Sequence, residues 1–433
     1  MESGLIAFTL TTFILADLWT ISQQSSDNLI LKSVAIVHRH GDRTPISTFP
    51  TDSYANASFW LDGPGELTSA GKARMFALGQ YFRERYGDFW PLNVREVEVR
   101  SSDVNRCLES SALVLAGAFP PSGRWIWSNK LHWQPFPIHT APRTYDNINN
   151  PSAACPVCEK EEERLKKSPE YKQHEVEFHD LFHYLTKYTG MNITDLFSAQ
   201  RIHDTLKIQA ENNYTLPSWA TTDVMNRLKR ISDLTFTLDY STYLIQRLRG
   251  GEFLKDLKSH FTTIMKQSLK SQDESIPIVD DVSKKIFFYS THDSQLSITL
   301  STLKVFDKLS PPYGSSIIFE LYQEKSTNHF KLSLLYLNDT YSKQPHYLNL
   351  PECDDTKFCD IEQFYHQIFV YLPENWRSEC GLEGIHCEED LVTLSLNLLT
   401  FIVISVLVSL TLIYFAIKKK GKDAYVYQML PVL

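Results

Sequence analysis

Positive charge is scarce in this sequence: 43 Lys and Arg stand against 51 Asp and Glu, a net charge of −8. Outside one short stretch at Lys418-Lys419-Lys420 there is no Lys/Arg-rich run, so the chain has no electrostatic footprint for nucleic acid. Internal repeats and low-complexity segments are also missing, which excludes a solenoid or fibrous architecture. A second CxxC is missing as well. Cys155-Pro-Val-Cys158 stands alone, short of the two pairs a zinc ribbon needs. What is present is globular composition, 43% hydrophobic and 12% aromatic over 433 residues, enough for a full core and more than one folding unit.

The two ends of the chain suggest a topology. From Leu391 to Ile417 there are 27 residues without a charge, ending at three lysines, and a bilayer core needs about 20 apolar residues. Residues 391–417 therefore read as a transmembrane helix with a cytosolic tail over 418–433. The tail carries +3, which leaves −11 for the residues before the span. Leu5 to Leu15 is an apolar run followed by a polar Ser/Gln stretch, although no Lys or Arg precedes it and Asp17 interrupts its far end. Residues 1–24 read as a signal peptide, and the chain as a single-pass type I membrane protein with residues 28–390 lumenal or extracellular. Four glycosylation sequons, at Asn56, Asn192, Asn213 and Asn338, all fall on that side.

An oxidising compartment favours pairing six of the seven cysteines. Cys107 stands alone behind a strand-like run and is the expected odd thiol, whereas Cys353, Cys359, Cys380 and Cys387 cluster before the span and could staple to Cys155 and Cys158.

Three apolar runs end in unusual polar clusters, each reading as a buried strand that feeds a loop. They are Val34–Val37 before His38-Arg39-His40-Gly41-Asp42-Arg43-Thr44-Pro45, Val97–Val99 before Arg100-Ser-Ser-Asp103-Val-Asn-Arg106, and Ile286–Tyr289 before Ser290-Thr-His292-Asp293. Helical patterns at Leu67–Tyr86 and Leu108–Ala118 alternate with them, as in an α/β domain. Sites in such sheets form at the carboxyl ends of strands, so three distant segments are expected to share one pocket. Residues 124–230, Pro-rich and then charged, read as an inserted, mostly helical cap.

The first cluster sets His40 between Arg39 and Arg43 at a glycine. Guanidinium groups bind phosphate oxygens in bidentate geometry. Gly41 lets the backbone turn tightly, and cationic neighbours depress the pKa of His40, keeping it neutral and nucleophilic in mild acid.

Arg39 to Pro45 matches the RHGxRxP signature of the histidine acid phosphatase family, and Ser290-Thr-His292-Asp293 resembles its later HD motif. Arg100 to Arg106 looks like the family segment that supplies a third phosphate-binding arginine. Asn213–Ala220 and Pro311-Pro-Tyr-Gly314 are similar to stretches of its prostatic and lysosomal members. The resemblance covers about residues 30 to 390. It implies a phosphoglycerate-mutase-like α/β domain with an inserted helical cap, acting on phosphate monoesters through a phosphohistidine, with neither metal nor cofactor. By this likeness His40 is the nucleophile, Arg39, Arg43, Arg106 and His292 hold the phosphate, and Asp293 protonates the leaving alcohol. An aspartic acid must be protonated to do so, which favours an acidic lumen. Arg100 and Asp103 are expected to orient Arg106.

The resemblance also implies disulfides Cys155–Cys380 and Cys353–Cys359, leaving Cys158 and Cys387 for a third bridge. One disulfide of the relatives is absent, replaced by residues around Ile208 and by Ser316, and Cys107 stands where relatives have threonine, as a buried small residue. A homodimer is implied, with Trp133 and His139 at the contact. Tyr427-Gln-Met-Leu430 fits a tyrosine-based sorting signal and favours endosomes or lysosomes over the cell surface. His179 and His183 lie four apart but lack the zincin glutamate. The alternatives are a phytase or lysophosphatidate-specific phosphatase, whose choice of alcohol lies with the cap, and a catalytically inactive adhesion or receptor ectodomain. The presence of every site residue argues against the last.

Overall fold

Val34, Ala35, Ile36 and Val37 are all inaccessible to solvent, and a strand apolar on both faces has to lie inside a sheet covered on both sides. In the computed structural model, which describes residues 28–270, 284–353, 357–382, 398–414 and 418, they form the middle of strand β1 (Leu29–Arg39). The chain continues through α1 (Ser69–Tyr86), β2 (Val97–Ser101) and α2 (Asn105–Ala118) into a helical stretch: α3 (Pro156–Lys166), α4 (Pro169–Glu177), α5 (His179–Thr189), α6 (Leu196–Glu211) and α7 (Thr222–Asp239). It returns through α8 (Gly251–Lys270), β3 (Ile286–Thr291), α9 (Asp293–Thr302), β4 (Ser316–Glu324), β5 (Phe330–Leu337), the short strands β6 (His346–Tyr347) and β7 (Cys359–Asp360), and α10 (Ile361–Phe369).

The sheet order is β2-β3-β1-β4-β5-β6, with β7 beside β5. Strands β2, β3 and β1 are parallel, while β4 and β5 are antiparallel to their neighbours. Alternation along the strands splits the core. Val34, Ile36, Ile286 and Phe288 pack with Met75, Phe82 and Val114 of α1 and α2, whereas Ala35, Val37, Phe287 and Tyr289 pack on the other face with Phe253, Leu257, Leu296 and Phe364 of α8, α9 and α10. Each large side chain so buried contributes roughly 1.5–3 kcal/mol.

Register decides where the site lies. His38 pairs with Ser290, Arg39 with Thr291, and Ser101 with Ser290, so the three parallel strands end level and their loops emerge together.

The helices α4 to α7 build a third core of their own, including Tyr171, Leu185, Leu206 and Leu228, which also takes in Phe49 from the loop after β1. Residues 126–155 hold no helix or extended strand. They run beside β2, where His139 donates its N–H to the Val99 carbonyl at 2.9 Å.

Disulfides join Cys155 to Cys380 and Cys353 to Cys359. Cys158, expected in a third bridge, is a buried free thiol, and Cys387 lies outside the described residues, as do the expected signal peptide and Tyr427–Leu430.

The chain divides into two compact units, Met1–Cys380 and Gly381–Leu433. In the second, residues 398–414 are helical, with Phe401, Leu412 and other apolar side chains exposed. Among the described residues no helix is long and apolar enough to cross a membrane; the remainder of the expected span, 391–397 and 415–417, lies outside them.

Candidate active site

β1 hands over to the site at its last residue. The N–H of His40 still bonds to Thr291 (2.9 Å) and its carbonyl accepts from Gly314 (3.2 Å), so the residue is clamped from both sides. Its imidazole is 2% exposed. Nδ1 lies 2.8 Å from the Gly41 carbonyl oxygen, to which only an Nδ1–H can donate. That bond assigns the tautomer and leaves the lone pair on Nε2. Burial, then the charges of Arg106, Arg39 and His292, and last Arg43, hold the pKa of His40 well below the usual histidine range.

Gly41 serves a different purpose from the tight turn expected. Its φ is not in the left-handed region; instead a Cβ there would stand 2.6 Å from the carbonyl oxygen of Gly71. Gly71 in turn faces the backbone of Asp42. Two glycines thus let the loop after β1 lie directly on the first turn of α1, capped by Thr68.

The three arginines converge from separate elements. Arg39 donates through Nη2 to Asp293 Oδ2 (2.7 Å) and through Nη1 to the Pro311 carbonyl (2.6 Å), and its guanidinium lies 4.1 Å from the Tyr313 ring. Arg43 forks onto Asp204 of α6, both N–H···O distances being 3.0 Å. Arg106, in the first turn of α2, approaches His292 Nδ1 at 3.4 Å. The Nε of each of the three is buried without a hydrogen-bond partner among the described residues, a set of donors suited to an oxyanion.

His292 precedes α9 and Asp293 opens it. The imidazoles of His292 and His40 stand 5.5 Å apart, and His292 Nε2 meets Ser102 Oγ at 3.2 Å. Burial and Arg106 push His292 down to about 3. Burial alone would raise the Asp293 carboxyl, but Arg39 and Arg43 outweigh it and hold it below the usual range. Cys107 is buried against His292, its sulfur 3.7 Å from the ring nitrogens. Burial pushes that thiol up to about 12, which makes it inert packing rather than a nucleophile.

All six expected site residues therefore meet. Arg100 does not join them: it projects from β2 toward Glu98 (3.0 Å) and Asp256 (3.2 Å) rather than Arg106, and Asp103 is exposed. Strand alternation turns Arg100 away, and Ser102, Asp204 and Tyr313 do the local orienting. Tyr313 lies in the noted Pro311–Gly314 stretch; for Asp204 the sequence offers only a polar i, i+3, i+4, i+7 face on α6. His179 and His183 stack edge-on, 4.4 Å apart, with no metal-binding group among the described residues.

Arg39, Arg43, Asp204 and Asp293 open into a cavity of about 350 Å³ beneath the helical stretch. A larger one, about 630 Å³, lies under β2 around Arg100, His139 and Asp146 and contains none of the six. A neutral histidine with a free lone pair, ringed by guanidinium groups and one carboxylate, defines a site for a tetrahedral oxyanion.

Residues 30–336 match the histidine phosphatase superfamily (branch 2). The chain belongs to that family. It is 36% identical to human prostatic acid phosphatase over 363 residues, 82% of this chain and 89% of that protein. With Xenopus laevis lysosomal acid phosphatase it shares 32% over 389 residues, 88% and 86% of the two chains. Among solved structures, the phytase of Hafnia alvei in complex with tartrate matches with a TM-score of 0.59 at 16% identity, covering 82% of this chain and 98% of that one, a likeness of fold.

Proposed function

We propose that this chain is an acid phosphatase that hydrolyses phosphate monoesters through phospho-His40. The observation that carries the reading is the His40 Nε2 lone pair, facing a site in which three arginines keep unmet buried donors. Arg39, Arg43 and Arg106 hold the non-bridging oxygens, with His292 as a further donor, and stabilise the charge that builds in the transition state. Nε2 attacks phosphorus, the P–N bond forms, the P–O ester bond breaks, and Asp293 gives its proton to the leaving oxygen. Water then attacks phosphorus, Asp293 takes a proton from it, and the P–N bond breaks to release phosphate and neutral His40. In the free site the arginines keep Asp293 ionised. The negative charge of a bound ester offsets them and raises that pKa, so substrate arms the acid, and acid solution helps.

We assign the remaining organisation on sequence grounds. The uncharged run 391–417 anchors the chain as a type I protein behind a signal peptide at 1–24, with the phosphatase domain at 28–390 and its cap at about 124–230 in an endosomal or lysosomal lumen. Tyr427–Leu430 addresses a sorting adaptor. The four sequon asparagines are exposed, as glycan acceptors must be. Exposed Trp127, Leu131 and Trp133, beside His139, suit a homodimer contact.

The test is to express the full chain in cultured cells and follow 4-nitrophenyl phosphate hydrolysis by membranes at about pH 5, between the reference pKa values of Asp and His, with a chelator present. Wild type is expected to turn over and to trap phosphate on protein after an alkaline quench. His40→Ala should do neither. A folded, inactive wild type would move the reading to a non-catalytic ectodomain.

A further inference from the structure

Helix α6 is set by its cap. Asp195 accepts the N–H of Ser198 at 2.7 Å, Leu196, Ala199, Ile202 and Leu206 sink into the cap core, and the opposite stripe, Phe197, Gln200, Arg201, Asp204 and Lys207, lines the 350 Å³ cavity. The phosphatase reading uses Asp204 alone from this stripe. The cavity's two carboxylates are already engaged, Asp204 with Arg43 and Asp293 with Arg39, and two cations beyond the phosphate-binding arginines are left over. Lys207 Nζ stands 5.3 Å from the ring of Tyr313, the same ring that carries Arg39. Its one ion pair, to Glu211 on the next turn, is 3.7 Å long, beyond hydrogen-bond reach, and burial pushes the Glu211 carboxyl up, so acid weakens that pair further. Arg201 is exposed and has no ion pair among the described residues. Ile46 and Phe197, each 55% exposed, line the same cavity and offer a surface for a ring or hydrocarbon.

We propose that Lys207 and Arg201 form a second anion subsite beside the phosphate site, so that this chain prefers monoesters whose alcohol is largely apolar and carries a negative charge of its own. The inference rests on the phosphatase reading and names its substrate class. An ester lacking the second charge leaves the Lys207 ammonium with only its long contact to Glu211, whereas one carrying it gains a charge-assisted contact.

The experiment compares 4-carboxyphenyl phosphate with 4-carbamoylphenyl phosphate, two esters of the same shape that differ in that charge. The full-length protein is assayed at about pH 5.5, where a carboxylic acid is ionised. The kcat/KM ratio, charged over neutral, is expected to be about tenfold in wild type. Lys207→Gln should bring it to about twofold or below, Lys207→Arg should restore it, and Arg201→Gln, at an exposed position, should lower it about twofold to threefold. A wild-type ratio near one overturns the proposal, as does a ratio that survives both glutamine variants. Hydrolysis of neither ester would instead remove the phosphatase reading beneath it.

Discussion

Asp204 and Arg43 face each other as a planar pair, carboxylate on guanidinium, through two hydrogen bonds of 3.0 Å. The pair ties α6 to the loop after β1 and takes one N–H from each Nη of Arg43, while the second Nη1–H goes to the Thr44 carbonyl (3.2 Å), so that the buried, unpartnered Nε–H and the second Nη2–H are left for a ligand. Asp204 therefore acts as a positioning residue. Asp204→Ala is expected to lower kcat/KM for a simple aryl phosphate about tenfold, roughly the loss of one charge-assisted bond, and to raise the inhibition constant of inorganic phosphate in parallel. Tighter phosphate binding in the variant would mean that Asp204 competes with substrate instead.

Asp293 is expected to matter in proportion to how badly the alcohol leaves. General acid catalysis is worth about 10²–10⁴, but a leaving group that departs as a stable anion needs little of it. Asp293→Asn should cut kcat strongly for an alkyl phosphate and far less for 4-nitrophenyl phosphate. Equal losses on both would assign Asp293 to binding Arg39, its 2.7 Å partner, and not to proton transfer.

The six residues around the oxyanion site were legible because each follows an apolar strand within a few positions, and parallel strands in register bring their ends level. The burial of β1 was legible in its continuous apolar run, Val34–Val37. What the sequence hid depends on side-chain direction and on distant packing. Arg100 lies in the same short segment as Arg106, yet strand alternation aims it at Asp256. Asp204 is 161 residues from Arg43 and meets it because the cap core takes in Phe49. The sequence pattern suggests a turn at Gly41, whereas the facing backbone of Gly71 sets its need, and no local pattern reveals such a contact.

That contact predicts a sharp intolerance. A Cβ on Gly71 would fall inside contact distance of the Asp42 carbonyl oxygen and 2.7 Å from its N, backbone on backbone, with no flexible side chain to yield. Gly71→Ala is expected to displace the loop that carries His40 and Arg43, costing about 1–3 kcal/mol as an overpacked site does. Activity should fall at least as much as stability. Chemical denaturation and kcat/KM on the same preparation check both, and an unchanged variant would show the loop free to move off α1.

Buried histidines give the stability of the free protein a definite pH slope. Burial lowers His38 and His203 each to about 4, with Lys207 adding to the effect on His203, and His292 falls to about 3. The unfolded chain titrates them near 6.5. Between those values the unfolded state binds protons that the native state refuses, so stability falls as pH falls through this window, each group adding up to roughly 1.4 kcal/mol per pH unit. Asp239 opposes this: burial lifts it to about 6, only partly countered by Lys166, so the native state holds a proton there that an unfolded Asp has released, and stability gains as pH drops toward about 4. His40, also held well below the usual range, sides with these three, and Asp146, Glu211 and Glu252, raised by burial, side with Asp239. The histidines, which the unfolded chain protonates first as pH falls through about 6.5, set a net loss over the upper part of the window. His203, on α6 and 6% exposed, separates the terms. In His203→Gln the unfolding free energy measured by denaturant at pH 6.5, 5.5 and 4.5 should lie on a shallower line than in wild type, by roughly 1 kcal/mol per unit, whatever its absolute level. Parallel lines would mean that native His203 already carries its proton across this range.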